Sequence, residues 1–344
     1  TNKLISLTKQ ISKNFTSSEY DTVLAAGEQV ACSLISGRLN ESGYLSRSWL
    51  GWQIPILTEG EHTYSRIVNI SKKNIIKFLQ KGGVPIVAGF QGINSENRIT
   101  TIGRGGSDAS AIMIAKFFKA HKCIIYTDVD GVYTADPKIF PKAKKIRKIS
   151  YEEMLEMASL GAKVMQPHSI QDARLNRIEI EVKSSFKNVT GSLITKRKNV
   201  SSKNIIRGVS FTKNDAKITL IGVKDRPGVA ATIFEPLFKN SVNVDMVVQN
   251  ISYNKKETDL TFTIKNEDLS KTEKLIKKNK KIKFNNIIID NKVSKVSIVG
   301  VGMITTPGVT FRMFNALAKK NINILVISTS EIKISVLVDR KNLK

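Results

Sequence analysis

The sequence predicts an α/β protein in two parts. A largely parallel sheet sandwiched by helices comes first, and two ferredoxin-like βαββαβ modules follow. Three observations predict this. Helix-period and strand-like apolar runs alternate over residues 1–200, as they do where helices cover a parallel sheet. Residues 187–204 are rich in Lys, Ser and Asn, which marks a domain boundary. Beyond them the chain repeats itself: Pro227-Gly228-Val229, Phe234, Leu237, Lys239, Asn243 and Val244 recur 80 residues later as Pro307-Gly308-Val309, Phe314, Leu317, Lys319, Asn323 and Ile324.

The elements follow in order. Leu4, Ile5, Leu7, Ile11 and Phe15 have helical spacing, as do Val23, Leu24, Val30, Ala31, Leu34 and Ile35. Ile75, Ile76 and Leu79 predict a short helix stopped by Gly82-Gly83. The run 84–90, VPIVAGF, reads as a buried strand, and Ile124–Tyr126 as another. Apolar residues over 109–118 predict a helix with Ser107 as its cap and Asp108 in its first turn. Ser150 with Glu153 forms a capping box for a helix ending near Leu160-Gly161, because each side chain reaches a backbone N–H of the other. Strict alternation over 178–183 predicts a strand with one wet face. In each repeat the order is strand, Pro-Gly turn, amphipathic helix, strand, strand. The turn places free N–H groups at a surface crevice where a small carboxylate can bind.

Composition narrows the function. The 344 residues carry 41% hydrophobic and 24% charged residues, ordinary values for a globular chain. No apolar run approaches the eighteen or so residues of a membrane span, and the start lacks a signal-peptide core. Cys32 and Cys123 read as two buried reduced thiols, which predicts a cytoplasmic protein. The net charge of +26 invites a nucleic-acid reading. The excess is dispersed lysine, and its densest run, 265–283, holds eight lysines and no aromatic residue, a poor platform for bases. Neither nucleic acid nor membrane is an expected partner. His62, His121 and His168 show no ligand spacing, so no metal site is expected among the side chains.

Two segments carry the chemistry: TTIGRGGSD at 100–108 and YTDVDGVYTADPK at 126–138. A glycine-rich turn entering a helix brings backbone N–H groups close to an anion. Arg104, between glycines, suits bidentate carboxylate or phosphate recognition. Asp108 is placed to organise Mg²⁺ or a phosphate-bound lysine, or it merely caps the helix. Asp128, Asp130 and Asp136 with Tyr126 and Tyr133 favour a ribose and base pocket over a plain acidic loop, and Lys138 and Lys163 suit phosphate. Glu28, inside an apolar helix pattern, needs a partner: a substrate ammonium, or a Lys or Arg of the chain.

These segments, together with GEQ (27–29), GWQ (51–53), GFQG (89–92), ISYEEMLEMASLGAK, VDMVVQNIS and ISTSEIKISVLV, resemble aspartate kinases of the amino acid kinase superfamily with C-terminal ACT domains. The likeness spans the whole chain. It implies an amino acid kinase-like catalytic domain at 1–186, a linker at 187–206, and ACT domains at 207–290 and 291–344. The second ACT domain lacks its last helix and is completed by the strand near 205–212. The implied reaction is ATP-dependent phosphorylation of the L-aspartate side-chain carboxylate to 4-phospho-L-aspartate, with Mg²⁺, at the head of lysine, threonine and methionine synthesis.

By the same resemblance, Asp108 is the catalytic aspartate. Glu28, Arg104, Gly105, Gly106 and Ser107 bind aspartate, with Glu28 on the ammonium and Arg104 on the α-carboxylate. Thr127, Asp128, Tyr133, Asp136, Pro137, Lys138 and Lys163 bind the nucleotide. Asp225, Gly228, Gln249, Asn250, Ser328 and Ser330 bind lysine, threonine or both, in a homo-oligomer joined through ACT domains. The family's opening Lys-Phe-Gly-Gly-Thr-Ser loop is not in this sequence, so the chain by itself is expected to be inactive. A purely amino-acid-sensing chain and another superfamily kinase stay open as readings.

Overall fold

The computed structural model describes residues 2–12, 14–103, 105–162, 164–200, 204–251 and 257–343. They divide into two compact units. One comprises 1–132, 145–159 and 163–201, the other 133–144, 160–162 and 202–344.

The first unit opens with helices α1 (Asn2–Ile11) and α2 (Ser17–Glu41), then β1 (Ser46–Trp49), β2 (Ile56–Glu59), β3 (Arg66–Ile70), α3 (Lys73–Gln80), β4 (Val84–Val87), β5 (Gln91–Ile93) and β6 (Ile99–Thr101). It continues with α4 (Gly106–Phe117), β7 (Lys122–Thr127), β8 (Lys148–Ser150), α5 (Tyr151–Ser159), α6 (Pro167–Asn176), β9 (Glu179–Ser184) and β10 (Ser192–Thr195). The pairs β1–β4, β2–β5, β7–β9 and β8–β10 are parallel. β2–β3, β5–β6 and β9–β10 are antiparallel. Trp49, Ile54, Ile56, Ile67, Ile70 and Ile75 form one core, covered by Phe78 and by Met113 and Ile114 of α4.

The capping box forms as expected: Ser150 N–H donates to Glu153 Oε2 and Glu153 N–H to Ser150 Oγ, both at 3.2 Å. The alternation of β9 is equally legible, with Ile180 and Val182 buried and Glu179, Glu181 and Lys183 half-buried. Three expectations are corrected. The strand read over 84–90 stops at Val87 and is only half-buried, because Phe90 takes a left-handed backbone (φ 65°) and turns the chain. Phe15 lies beyond α1. The stretch read as a linker contains β10, whose Ser192, Ile194 and Thr195 are fully buried. Its polar residues misled because Ser192 Oγ serves the backbone, bonding Val132 N–H (2.8 Å) and Ile146 O (2.6 Å).

The second unit holds β11 (Gly208–Lys224), α7 (Val229–Lys239), β12 (Val244–Ile251), β13 (Glu257–Lys265), α8 (Leu269–Lys278), β14 (Asn286–Val299), α9 (Val309–Ala318), β15 (Val326–Thr329) and β16 (Lys333–Asp339). They make one six-stranded antiparallel sheet in the order β12-β13-β11-β14-β16-β15. The two long strands are shared. Residues 217–221 of β11 pair with 286–290 of β14, and 208–212 of β11 pair with 295–299 of β14. The first repeat thus has its fourth strand in residues 286–290, which follow α8, and the second has its fourth in 208–212, which precede the first repeat. Ile218, Leu220, Ile233, Leu237, Leu260 and Phe262 fill the core of the first repeat, and Ile298, Val309 and Ile334 that of the second. The Pro-Gly prolines precede their helices instead of entering the first turn, and Gly228 and Gly308 stand at the N-caps.

Candidate active site

Helix α4 organises the catalytic unit. Its N-cap is Gly105 (φ 76°), and Gly103 is also left-handed (φ 78°), a backbone that glycine enters without a Cβ penalty. Space requires glycine there too. A Cβ on Gly105 would overlap Gln166 Cγ, and one on Gly103 would sit 2.9 Å from Thr63 O. No side chain caps α4; Gly106 N–H is taken by Gly103 O at 2.9 Å, and among the described residues the N–H groups of Ser107 and Asp108 remain for an anion. Ser107 is not the cap that its sequence position suggested. The helix begins at Gly106, so Ser107 and Asp108 are its second and third residues, because the left-handed Gly105 caps it two positions earlier than Ser107 would.

Asp108 is half-buried, and that burial raises its carboxyl above the ordinary aspartate range, with His168 opposing the shift. Asp108 in turn adds to the burial that pushes the Cys123 thiol up to about 11. Among the described residues Asp108 makes no ion pair. Glu28, half-buried in α2, is likewise raised by burial and has no ion-pair partner among the described residues. The Lys or Arg that would have explained it away is not found there.

Neighbouring elements pack the turn. Phe90 N–H donates to Ser110 Oγ at 2.8 Å, and that hydroxyl donates to Gly106 O at 2.7 Å, so the GFQG loop is tied to α4. Gln91 Nε2 donates to Ala25 O at 3.3 Å and Gln29 Nε2 to Gln91 Oε1 at 3.1 Å, which ties the same loop to α2. On the other side, Ser169 Oγ of α6 reaches Gly105 O at 3.4 Å. Glu28, Gly105, Gly106, Ser107 and Asp108 thus all stand on elements bound to the GFQG loop. Arg104 and Lys163 lie outside the described residues.

The nucleotide candidates fall in both units. Thr127 ends β7, and its hydroxyl donates to Asp128 Oδ1 at 3.2 Å. Tyr133, Asp136, Pro137 and Lys138 belong to the 133–144 segment of the second unit, where Lys138 N–H donates to Asp136 Oδ1 at 2.9 Å. Asp130 of the catalytic unit pairs with Lys145 at 3.4 Å. Sequence reasoning missed three groups beside the turn: His168 near Asp108, Gln91 between α2 and the GFQG loop, and the fully buried Asp21 of α2. Only the polar residue inside the apolar GFQG context offered a signal.

In the second unit Asp225 and Gly228 are exposed at the first Pro-Gly turn, and Gln249 and Asn250 are exposed on edge strand β12. Ser328 is half-buried on the opposite edge strand β15, and Ser330 is exposed just after it, its N–H donating to Lys333 O at 2.8 Å.

Residues 1–184 match the amino acid kinase family, and residues 218–279 and 296–344 match the ACT domain. Over 346 aligned positions the chain is 44% identical to an aspartate kinase of Pseudomonas putida, covering all of this chain and 84% of that one. The chain belongs to the aspartate kinase family. Aspartokinase 2 of Bacillus subtilis is 42% identical with the same coverage. The fold is similar to that of E. coli aspartokinase III in complex with aspartate and ADP, with a TM-score of 0.81 at 23% identity, over 99% of this chain and 77% of that one. An aspartate kinase is a phosphotransferase that uses a carboxylate as acceptor, and its ACT domains make it a regulated one; this is the activity of the chain.

Proposed function

We propose that the α4 turn and α2 together hold L-aspartate while ATP delivers its γ-phosphoryl group to the side-chain carboxylate. The observation that carries this reading is the pair of half-buried carboxylates, Glu28 and Asp108, which make no ion pair among the described residues and stand on elements joined through one loop. Glu28 takes the substrate ammonium, whose charge offsets the cost of burying the carboxylate. Arg104 takes the α-carboxylate, with Gly105, Gly106 and Ser107 lining the anion site at the helix N-terminus.

The acceptor carboxylate is already ionised at neutral pH, so the reaction needs no general base. Asp108 instead orients cations around the transferring phosphoryl, where positioning and charge dominate catalysis. Among the described residues no three metal-ligating side chains cluster. Mg²⁺ would be held mainly by nucleotide phosphates and water, with Asp108 as the protein carboxylate assigned to it. Held there, Mg²⁺ would offset negative charge on the nucleotide phosphates. Thr127, Asp128, Tyr133, Asp136, Pro137, Lys138 and Lys163 hold the nucleotide.

Residues 1–186 serve catalysis, and 207–290 and 291–344 serve regulation. A solved E. coli relative was captured with lysine and aspartate. We assign lysine, threonine or both to Asp225, Gly228, Gln249, Asn250, Ser328 and Ser330, in a homo-oligomer. No described helix is long and apolar enough to cross a membrane, and both cysteines are buried and unpaired; we place the protein in the cytoplasm. The test is a coupled assay over a panel of amino acids, with calorimetry of lysine and threonine. Turnover with aspartate alone, abolished by Asp108→Asn, supports the reading; equal turnover with other acids overturns it.

A further inference from the structure

We infer that Asp21 is a positioning residue that sets the distance between the two halves of the aspartate site; the inference rests on the substrate roles proposed above for Glu28 and Arg104. Asp21 lies in the first turns of α2 and is fully buried. Its carboxylate accepts four hydrogen bonds from two segments remote in sequence. Oδ2 takes His62 Nδ1 at 2.8 Å, Thr63 N–H at 3.0 Å and Thr101 N–H at 3.0 Å, and Oδ1 takes the Thr101 hydroxyl at 2.6 Å. A buried carboxylate is costly unless its lone pairs are occupied, and here all the donors come from chain segments that bracket the glycine-rich turn.

Thr101 is the last residue of β6 and the entry to that turn. Its carbonyl is also engaged, accepting Ser65 N–H at 3.1 Å. The 61–65 segment therefore grips Thr101 from one side and Asp21 from the other. The same segment walls Gly103: Thr63 O lies 2.9 Å and the Tyr64 ring 3.3 Å from where a Cβ would stand. Thr63 itself is left-handed (φ 71°), a strained backbone for a β-branched residue. Its N–H bond to Asp21 helps hold that conformation. A second link runs beside it, since Arg98 of the β5–β6 hairpin pairs with Glu19 of α2.

Asp21 and Glu28 are seven residues apart on one helix. Two turns separate them by about 10 Å along the axis and leave them on the same face. The helix that carries the ammonium-binding Glu28 is thus pinned, two turns earlier, to the strand end three residues before Arg104. Releasing the pin lets α2 and the turn shift independently. Aspartate must span both, whereas the nucleotide residues assigned above stand on neither.

The test is steady-state kinetics with aspartate and ATP varied separately, calorimetry of aspartate alone, and thermal melts, on wild type and Asp21→Ala, Asp21→Asn and Thr101→Val. Asp21→Ala is expected to raise KM for aspartate by about tenfold or more, while KM for ATP moves less than about twofold. Asp21→Asn keeps one oxygen for the N–H donors and turns its amide to the Thr101 hydroxyl, so it is expected to recover most of the affinity. Thr101→Val removes one bond and should fall between; these two variants decide the matter if Asp21→Ala does not fold. A lowered Tm with both KM values unchanged, or equal shifts in both, overturns the inference. Glu28→Gln separates the two levels. If it leaves aspartate KM unchanged, the substrate assignment fails; if it raises KM and the Asp21 variants do not, only the positioning role fails.

Discussion

Two kinds of glycine turn start helices in this chain, and their backbones are nearly the same. Gly103 and Gly105 before α4 have φ of 78° and 76°, and Gly228 and Gly308 before α7 and α9 both have 83°. Their surroundings are opposite. Side chains and backbone crowd the first pair, while nothing lies within 4 Å of a Cβ on either of the second pair. The catalytic turn uses glycine for conformation and for close approach, so it is held rigidly enough to place reacting groups. The regulatory turns use glycine for conformation alone and leave open space beside free helix N–H groups, which suits a ligand that comes and goes.

The sharpest break of that comparison is Asp108→Asn, which leaves the crowded turn in shape and removes only its charge. It should lower kcat by about a hundredfold to a thousandfold, the range for losing one preorganised electrostatic group. Stability should move the other way. Burial holds the Asp108 carboxyl above its ordinary pKa, so ionisation is disfavoured in the folded state. That cost is absent below the unfolded pKa, develops as pH rises through it, and is complete above the folded pKa. The Asn variant should therefore melt a few degrees higher than wild type at pH 7–8 and equally at the acid end. A melt series against pH checks the sign, and equal Tm values at neutral pH would remove burial as the cause.

Next comes Gly105→Ala. The left-handed φ costs about 1–2 kcal/mol and the overlap with Gln166 about 1–3 kcal/mol more, so roughly 3 kcal/mol of unfolding free energy should be lost, with aspartate affinity. Urea denaturation gives the first figure. Gly308→Ala meets only the backbone term, about 1 kcal/mol. A loss there equal to that of Gly105→Ala would erase the distinction between the turns.

How much of this was legible in the sequence follows the same line. Contacts local in sequence were readable: the Ser150–Glu153 box, the alternation of β9, the Pro-Gly repeat. Each depends on residues within a few positions, where spacing fixes geometry. The role of Ser107 was misjudged because a serine before a helix is the usual cap, and only the space around Gly105 shows that the glycine takes the place. β10 hid behind hydroxyls that bond backbone groups from distant segments. Asp21 was invisible altogether. An acid near a helix start reads as a partner of the helix dipole, and its true partners lie 41, 42 and 80 positions away. The pairing of 208–212 with 295–299 is not specified by the repeat pattern and was expected only through the family resemblance.

The smallest effect tests whether the open turns are set by glycine alone. Pro227 and Pro307 precede the caps, are exposed, and fix φ near −65° before the left-handed step. Removing either should act mainly by freeing the unfolded chain, at about 0.4–1 kcal/mol. Pro307→Ala is the cleaner probe, since Gly308 has an open environment and no effector residue is assigned beside it. Its loss should be purely entropic, appearing as a shifted denaturation midpoint with an unchanged m-value. In the crowded turn a proline before Gly103 would lose the bond from Ile102 N–H to Phe90 O at 3.1 Å, and the nearby N–H groups of Thr101 and Gly106 are likewise engaged, by Asp21 and by Gly103 O at 2.9 Å. Ile102→Pro would delete one of these bonds and should cost more than Pro307→Ala removes, which makes the pair a direct measure of how much of the catalytic turn's rigidity comes from hydrogen bonds instead of from chain stiffness.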